Sequence, residues 1–532
     1  MAELEPHAPS KGLNRPCILL ITISGMERFA FKGVASNLVT YLTDVMGMSN
    51  SSAAKFVNSW VGFTSMLPLV IATLADSYWD RHNTILASSV LYSAGLLALT
   101  STAVRWPWAP PRHNTHSVSS LSWSLYMISL GQAGYNPSLQ AFGADQLEKN
   151  EENDDELPVS NTLDEDRTKG GDSDRKSKFF QWWYFGICCG SLLGVSVMSY
   201  VQDNLGWGLG FAIPTLSMLV SIVLFSCGNR LYVRKRSGIA NARSFEVVVR
   251  AVKAAVSKIV NGGGTRQPGD SDYAIVELEL QEQAALCDPD PPNPARLPPL
   301  EALRAVLRLL PIWTTLLVFA VVFQQPATFF TKQGSAMNRA IGGTHFEIPP
   351  AALQGSITIS IILLMPLYDR AFIPLIRALT CDPNGGISVE RRIGIGMFLS
   401  VVAMVVAAIT ERKRRLAGNN LPSIFWLLPQ YVLLGISDIF TVVGMQEFFY
   451  SEVPAGMRTV GIALYTSVFG VGGFLSAVLI SVIERLTTEW FVDDMAKARL
   501  DKYYWFLAGA SAVSLLAFVG LCRWFRGHNL GL

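Results

Sequence analysis

Twelve stretches of this chain are apolar for long enough to cross the hydrocarbon core of a bilayer, roughly 30 Å thick, and this limits the possible folds more than any motif does. No water reaches backbone amides in that core, so only helices or a closed barrel can span it, and runs of about twenty residues suit helices. The runs cover approximately 16–43, 53–74, 84–104, 119–143, 179–200, 208–227, 303–330, 349–368, 393–410, 423–446, 460–483 and 503–524. The prediction is an all-α membrane protein of 12 transmembrane helices. Composition agrees: half the residues are hydrophobic and 16% are charged, against roughly 25% in soluble domains, and the mean hydropathy is +0.31. The net charge of +2 sets up no field toward nucleic acid. Seven cysteines without metal-ligand spacing argue against a disulfide framework or a metal site. The polar start, Met1 to Lys11, has no apolar core, so no cleavable signal is expected and the first helix serves as the targeting signal.

Six runs precede and six follow a polar stretch, which divides the chain into an N-terminal half (1–227), a linker (228–298) and a C-terminal half (299–532). The linker holds Arg234-Lys-Arg236, Gly262-Gly-Gly264 and Cys287-Asp-Pro-Asp-Pro-Pro-Asn-Pro294, a composition that buries no core, with a short amphipathic helix expected near Phe245–Ile259. A second acidic insert, Glu148 to Asp174, reads as a mobile loop. The six-plus-six layout resembles the major facilitator architecture. Lys and Arg crowd the linker and are absent from the turns near 44–52 and 201–207, which puts the linker and both termini in the cytoplasm. Arg412-Lys-Arg-Arg415 runs against that rule, and the even helix count outweighs it.

A charge near the centre of a span costs roughly 2.5–3.5 kcal/mol on insertion scales, so each one needs a reason. The first run carries Glu27, Arg28 and Lys32; the two cations stand four apart and share a helix face, giving a locally positive surface suited to an anion. The alternative is a structural ion network without ligand contact. Asp438 in the tenth run is either a proton site or the partner of a cation on another helix. Glu447 is expected to pair with loop cations. Gln324, Gln325, Gln333, Asn136 and Gln181 either line a polar cavity or bridge helices. All six histidines fall outside the predicted runs, which disfavours a histidine proton relay. No phosphate-binding loop, zinc-protease motif or nucleophile elbow is present, so no enzyme activity is expected. Asn50-Ser-Ser52 matches a glycosylation sequon beside two spans.

Several segments together resemble the plant nitrate and peptide transporter family, a branch of the proton-coupled oligopeptide transporters. They are Met26-Glu-Arg-Phe-Ala-Phe-Lys-Gly33, Leu74-Ala-Asp-Ser-Tyr-Trp-Asp-Arg81, Asn136-Pro-Ser-Leu-Gln-Ala-Phe-Gly-Ala-Asp-Gln146, Phe179-Phe-Gln-Trp-Trp-Tyr-Phe-Gly186, Thr328-Phe-Phe-Thr-Lys-Gln-Gly334, Pro366-Leu-Tyr-Asp-Arg370 and Gln446-Glu-Phe-Phe-Tyr-Ser-Glu-Val-Pro454. The resemblance implies a major facilitator fold, a monomer working by alternating access, a proton as coupling ion with no other cofactor, and Asp76 and Arg81 latching neighbouring helix ends. Four positions depart from the family pattern. Ser24 replaces the first glutamate of the ExxER motif, Asn136 the fourth-helix lysine, Cys188 the fifth-helix asparagine, and Lys32 the motif's second tyrosine. Asp438 thereby loses the partner usual in the family, and Lys32 is one candidate to replace it.

The function expected on these grounds is secondary transport of a small anionic or zwitterionic solute, such as nitrate, a carboxylate-bearing metabolite, or a peptide-like or nicotianamine-like compound. Glu27 and Asp438 would couple to protons, and Arg28, Lys32, Asn136, Gln324 and Gln325 would bind substrate. Two alternatives stand beside it: a proton-independent facilitator or exporter, and a non-transporting sensor signalling through the linker. The expected partners are a small solute and the lipid bilayer, with no nucleic acid, and the membrane is the plasma membrane or an endomembrane.

Overall fold

The computed structural model describes residues 14–78, 81–103, 118–146, 163–232, 299–341, 346–367, 388–418, 420–453, 458–487 and 489–529. Within the described residues every predicted run is mostly helical, the first with a turn at Ser36 and Asn37. The helices are α1 (Arg15–Ala35), α2 (Asn50–Tyr78), α3 (Arg81–Ala103), α4 (Val118–Asp145), α5 (Leu163–Asn204), α6 (Trp207–Cys227), α7 (Pro299–Phe323), α8 (Phe329–Ser335), α9 (Gly355–Leu367), α10 (Val389–Leu416), α11 (Leu428–Ser451), α12 (Arg458–Leu486) and α13 (Leu500–Asn529). Among the described residues, seven helices are both long and apolar enough to cross a bilayer.

One run and one insert differ from expectation. The run 303–330 is one span broken into α7 and α8. Pro326 has no N–H to give, and side chains take over the freed carbonyls: Gln325 Nε2 donates to the Val321 oxygen (3.0 Å), Thr328 Oγ1 to Gln324 (3.0 Å) and Thr331 Oγ1 to Pro326 (2.8 Å). The acidic insert expected as a loop is already helical from Leu163, because α5 begins there and becomes apolar only at Trp182. The Phe245–Ile259 helix expected in the linker lies outside the described residues.

Packing sorts the chain into one compact unit of Met1–Val34 with Asp80–Arg236 and another of Ala35–Trp79 with Ser237–Leu532. This division departs from the 227/228 and 298/299 boundaries drawn from the linker, for a physical reason. α2, early in the sequence, packs against α12, late in it, across glycines. A methyl built on Gly62 would lie 2.8 Å from the Gly470 oxygen, and one on Gly473 would lie 2.7 Å from the Asn58 oxygen. Such backbone approach is what holds helices together in lipid, where hydrophobicity gives no drive between them.

The same contact is extended by polar pairs toward the start of α2. Asn58 Nδ2 donates to Ser476 Oγ (2.9 Å), Lys55 Nζ meets Glu484 Oε2 (2.6 Å), Ser51 Oγ donates to Glu484 Oε1 (2.5 Å), and Asn50 Nδ2 donates to the Asp493 oxygen (3.1 Å). The sequon asparagine is thus buried with its amide engaged.

In the first unit, α5 carries glycines at four-residue spacing, Gly186, Gly190 and Gly194, and presents them to α1. Gly190 meets the Gly25 carbonyl, and a methyl on Gly194 would lie 2.6 Å from the Phe29 oxygen and 3.2 Å from Lys32 Cβ. Gln202 Nε2 closes the end of the contact on the Gly33 oxygen at 2.7 Å. The backbones of α1 and α5 therefore touch along the stretch of α1 that holds Glu27, Arg28 and Lys32.

Candidate functional site

Glu27 is completely buried, although α1 is not an amphipathic surface helix and the residue sits well inside it. Its Oε1 is approached by two neutral amides one turn apart on α4: Gln132 Nε2 at 3.3 Å and Asn136 Nδ2 at 3.4 Å. Tyr92 of α3, also buried, lies beside the same carboxylate. Oε2 accepts no hydrogen bond, and its neighbouring cation is Arg28 Nε at 3.7 Å. Arg28 and Lys32 are half-buried, so neither is sealed into dry packing. Asn136, at the position where the family resemblance placed a lysine, is turned to the carboxylate as an uncharged donor. Gln132 was not singled out in the sequence; its spacing of four from Asn136 is the signal that would have found it.

The remaining candidates fall elsewhere. Gln324 and Gln325 are buried in the second unit at the break after α7, where the Gln324 carbonyl and the Gln325 amide serve the broken helix, and Gln325 Nε2 also reaches Tyr503 Oη at 3.5 Å. Gln333 Oε1 accepts from Gln430 Nε2 at 3.3 Å. Asp438 is half-buried on α11, in the second unit, whereas Lys32 belongs to the first. Arg81 opens α3, half-buried, while the Asp76 side chain lies outside the described residues, as does that of Gln181. Glu447 pairs with Arg392, a cation on α10 rather than in a loop. Cys188 is buried and forms no disulfide.

Four ionisable side chains carry more structure than the sequence suggested. Lys332 of α8 is buried and bonded to Thr43 Oγ1 and to Asp44 Oδ1, the latter at 3.0 Å. Glu411 and Arg414 form a buried pair at the end of α10. His82, expected outside the spans, lies within one, because α3 starts at Arg81 rather than 84. It is buried against Phe142 and Phe225, with neither ring nitrogen hydrogen-bonded among the described residues. Among the described residues no cluster of His, Cys, Asp or Glu could hold a metal ion.

The sequence model described as the POT family matches residues 82–506. Protein NRT1/ PTR FAMILY 5.9 of Arabidopsis thaliana is 50% identical, the match covering 98% of this chain and 97% of that protein. Protein NRT1/ PTR FAMILY 5.10 of the same plant is 40% identical over 98% and 94%. Among solved structures, the POT family transporter PepTSo superposes with a TM-score of 0.71 at 21% identity, over 97% of this chain and 99% of that one. An auto-inhibited POT family peptide transporter gives 0.72 at 22% identity, over 96% and 97%. The fold is the one these transporters share, the major facilitator fold of membrane-embedded helices.

Proposed function

Because the chain belongs to the POT family, a family of integral membrane transporters, we propose that it moves a small anionic or zwitterionic solute across its membrane by alternating access, linked to protons through Glu27. The observation that carries this reading is the lopsided environment of that carboxylate: Oε1 faces two neutral amides, while Oε2 accepts no hydrogen bond and has Arg28 at 3.7 Å, with the Tyr92 side chain beside the group. Oε2 is the atom on which a proton would be held, and taking it up requires no cation to leave.

Charge links the proton to the solute. With Glu27 ionised, the Glu27, Arg28 and Lys32 group is singly positive; with Glu27 protonated it is doubly positive. A solute bearing a carboxylate or nitrate-like charge binds the second state better, and by linkage its binding raises the affinity for the proton in equal measure. Proton and anion therefore travel together, with Arg28 and Lys32 holding the anionic group. In this reading the linker and both termini face the cytoplasm, from the distribution of Lys and Arg.

Glu27→Gln tests the assignment, since glutamine keeps the shape and cannot carry the proton. In reconstituted vesicles with nitrate or a carboxylate solute inside or outside, wild type should show flux that rises as the solute's side is made more acidic than the opposite side. The variant should retain membrane insertion and lose that dependence. Unchanged dependence removes Glu27 from the coupling role. Gradient-insensitive flux already in wild type favours a facilitator, the reading to which the neutral amide at Asn136 lends weight.

A further inference from the structure

Four consecutive cations, Arg412 to Arg415, end α10, and the structure divides them into two pairs. Arg414 and Arg415 turn inward, Arg414 to Glu411 and to the Met495 carbonyl, Arg415 to Asp501 at 2.9 Å. Arg412 and Lys413 turn outward and are exposed. We propose that this outward pair binds the phosphate of an anionic membrane phospholipid.

Position supports a lipid. One stripe of α10, spaced by threes and fours, runs through exposed Ile395 and Phe398, half-buried Val402 and Val405, and exposed Ile409, Arg412 and Leu416. Arg412 is therefore on the lipid side. The stretch from Ile393 to Thr410 has no charged side chain and is about 27 Å long, close to the roughly 30 Å of hydrocarbon. Arg412 then falls where headgroups begin.

Chemistry supports a phosphate. Among the described residues Arg412 has no hydrogen-bond or ion-pair partner, and Lys413 rests on the face of Trp426, its Nζ 3.1 Å from the ring centroid. The acids in reach, Glu411 and Asp501, are already taken by Arg414 and Arg415. Arg412 is thus unanswered and Lys413 is met by a ring face alone, charges that an anionic headgroup answers and a zwitterionic one does only in part. An exposed apolar shelf adjoins them, made of Leu416, Leu421, Phe425 and Trp426. That shelf accepts glycerol and acyl carbons and has no use for a free ion, and it sits where aromatic residues favour the membrane interface. On the orientation proposed above this is the non-cytoplasmic leaflet, which accounts for a basic run against the usual distribution.

The test titrates the full chain, purified in detergent, with phosphatidylglycerol or phosphatidylcholine and reads bound lipid by native mass spectrometry. Wild type should take one phosphatidylglycerol in preference to phosphatidylcholine. Each cation is worth about fivefold in affinity for an anionic lipid, so Arg412→Gln with Lys413→Gln should weaken the first site about thirtyfold. Arg412→Lys with Lys413→Arg should keep it. If the double glutamine variant is not recovered folded, Arg412→Gln alone should show the fivefold loss. Equal affinities in wild type and the glutamine variants, or equal binding of the two lipids by wild type, overturn the proposal. Displacement of phosphatidylglycerol by millimolar inorganic phosphate overturns it too, by making the site one for a free anion.

Discussion

Glu27 and Glu411 are both wholly buried carboxylates in helices of a membrane protein, and they are held in opposite ways. Glu411 is gripped by a guanidinium on its own helix, Arg414 Nη2 to Oε1 at 2.7 Å and Nε to Oε2 at 2.9 Å, with the Arg414 side chain also on the Met495 carbonyl. Both oxygens are answered. Glu27 has two amides at 3.3 and 3.4 Å on one oxygen and none on the other. A fully answered buried charge is a structural fixture. One answered halfway, beside half-buried cations, is the group proposed above to exchange a proton. The lesson is that burial alone marks neither; the completeness of the partner set separates them.

The strongest way to break this comparison is at the structural end. Glu411→Gln leaves Arg414 buried without its counter-charge and should destabilise the protein by about 3–5 kcal/mol, read as a large fall in thermal unfolding temperature in detergent. Glu411→Leu with Arg414→Met removes both charges and should recover most of that loss. If Glu411→Gln is as stable as wild type, the pair is not a fixture and the contrast fails.

Glu27→Gln should sit far from that value. Its amide partners are long and its second oxygen unbonded, so unfolding should shift by less than about 1 kcal/mol, the scale of one ordinary hydrogen bond, while coupling is lost. A loss of stability matching Glu411→Gln would make Glu27 structural as well. Smaller still is the ion pair of Lys55 with Glu484, whose side chains are 27% and 39% exposed. Lys55→Gln should cost about 0–1 kcal/mol, and the difference from wild type should shrink as salt is raised.

The smallest effect belongs to a carboxylate in the open. Asp494, in the loop before α13, is held below the ordinary carboxylate range by the Ala496 N–H and by Lys497. A depressed carboxyl stabilises the fold above its unfolded value, about pH 3.9, and that contribution disappears as pH falls through the folded value. Asp494→Asn should lower the unfolding temperature slightly at neutral pH and converge with wild type in acid. A constant offset at all pH values would show that something other than the charge had been removed.

The basic run at the end of α10 shows what reading a sequence can miss. As a string of four cations it contradicted the orientation drawn from the rest of the chain. Packed, two of the four disappear into ion pairs with Glu411 and Asp501, acids three residues away and far along the chain, respectively. The break between α7 and α8 was half visible in the same sense. Pro326 stood in the sequence, but only side chains that take over the lost backbone bonds allow a span to break there. Lys332 looked like part of a motif and proved to be a buried cation with an acid partner, Asp44, 288 residues away in sequence.

The sequence by itself determined the class and the placement of most of the apolar helices, because the bilayer acts as a uniform solvent and transfer free energy adds residue by residue along the chain. It also marked Glu27, Arg28 and Lys32, since a charge in hydrocarbon stands out wherever it falls. Only the tertiary structure decided which buried charge is satisfied, that α2 joins α12 rather than its sequence neighbours, and that Asn136 and Gln132 meet Glu27. Those outcomes depend on how each helix is rotated about its axis and on which backbone glycines allow to come close, and neither quantity is a sum over the residues of one segment.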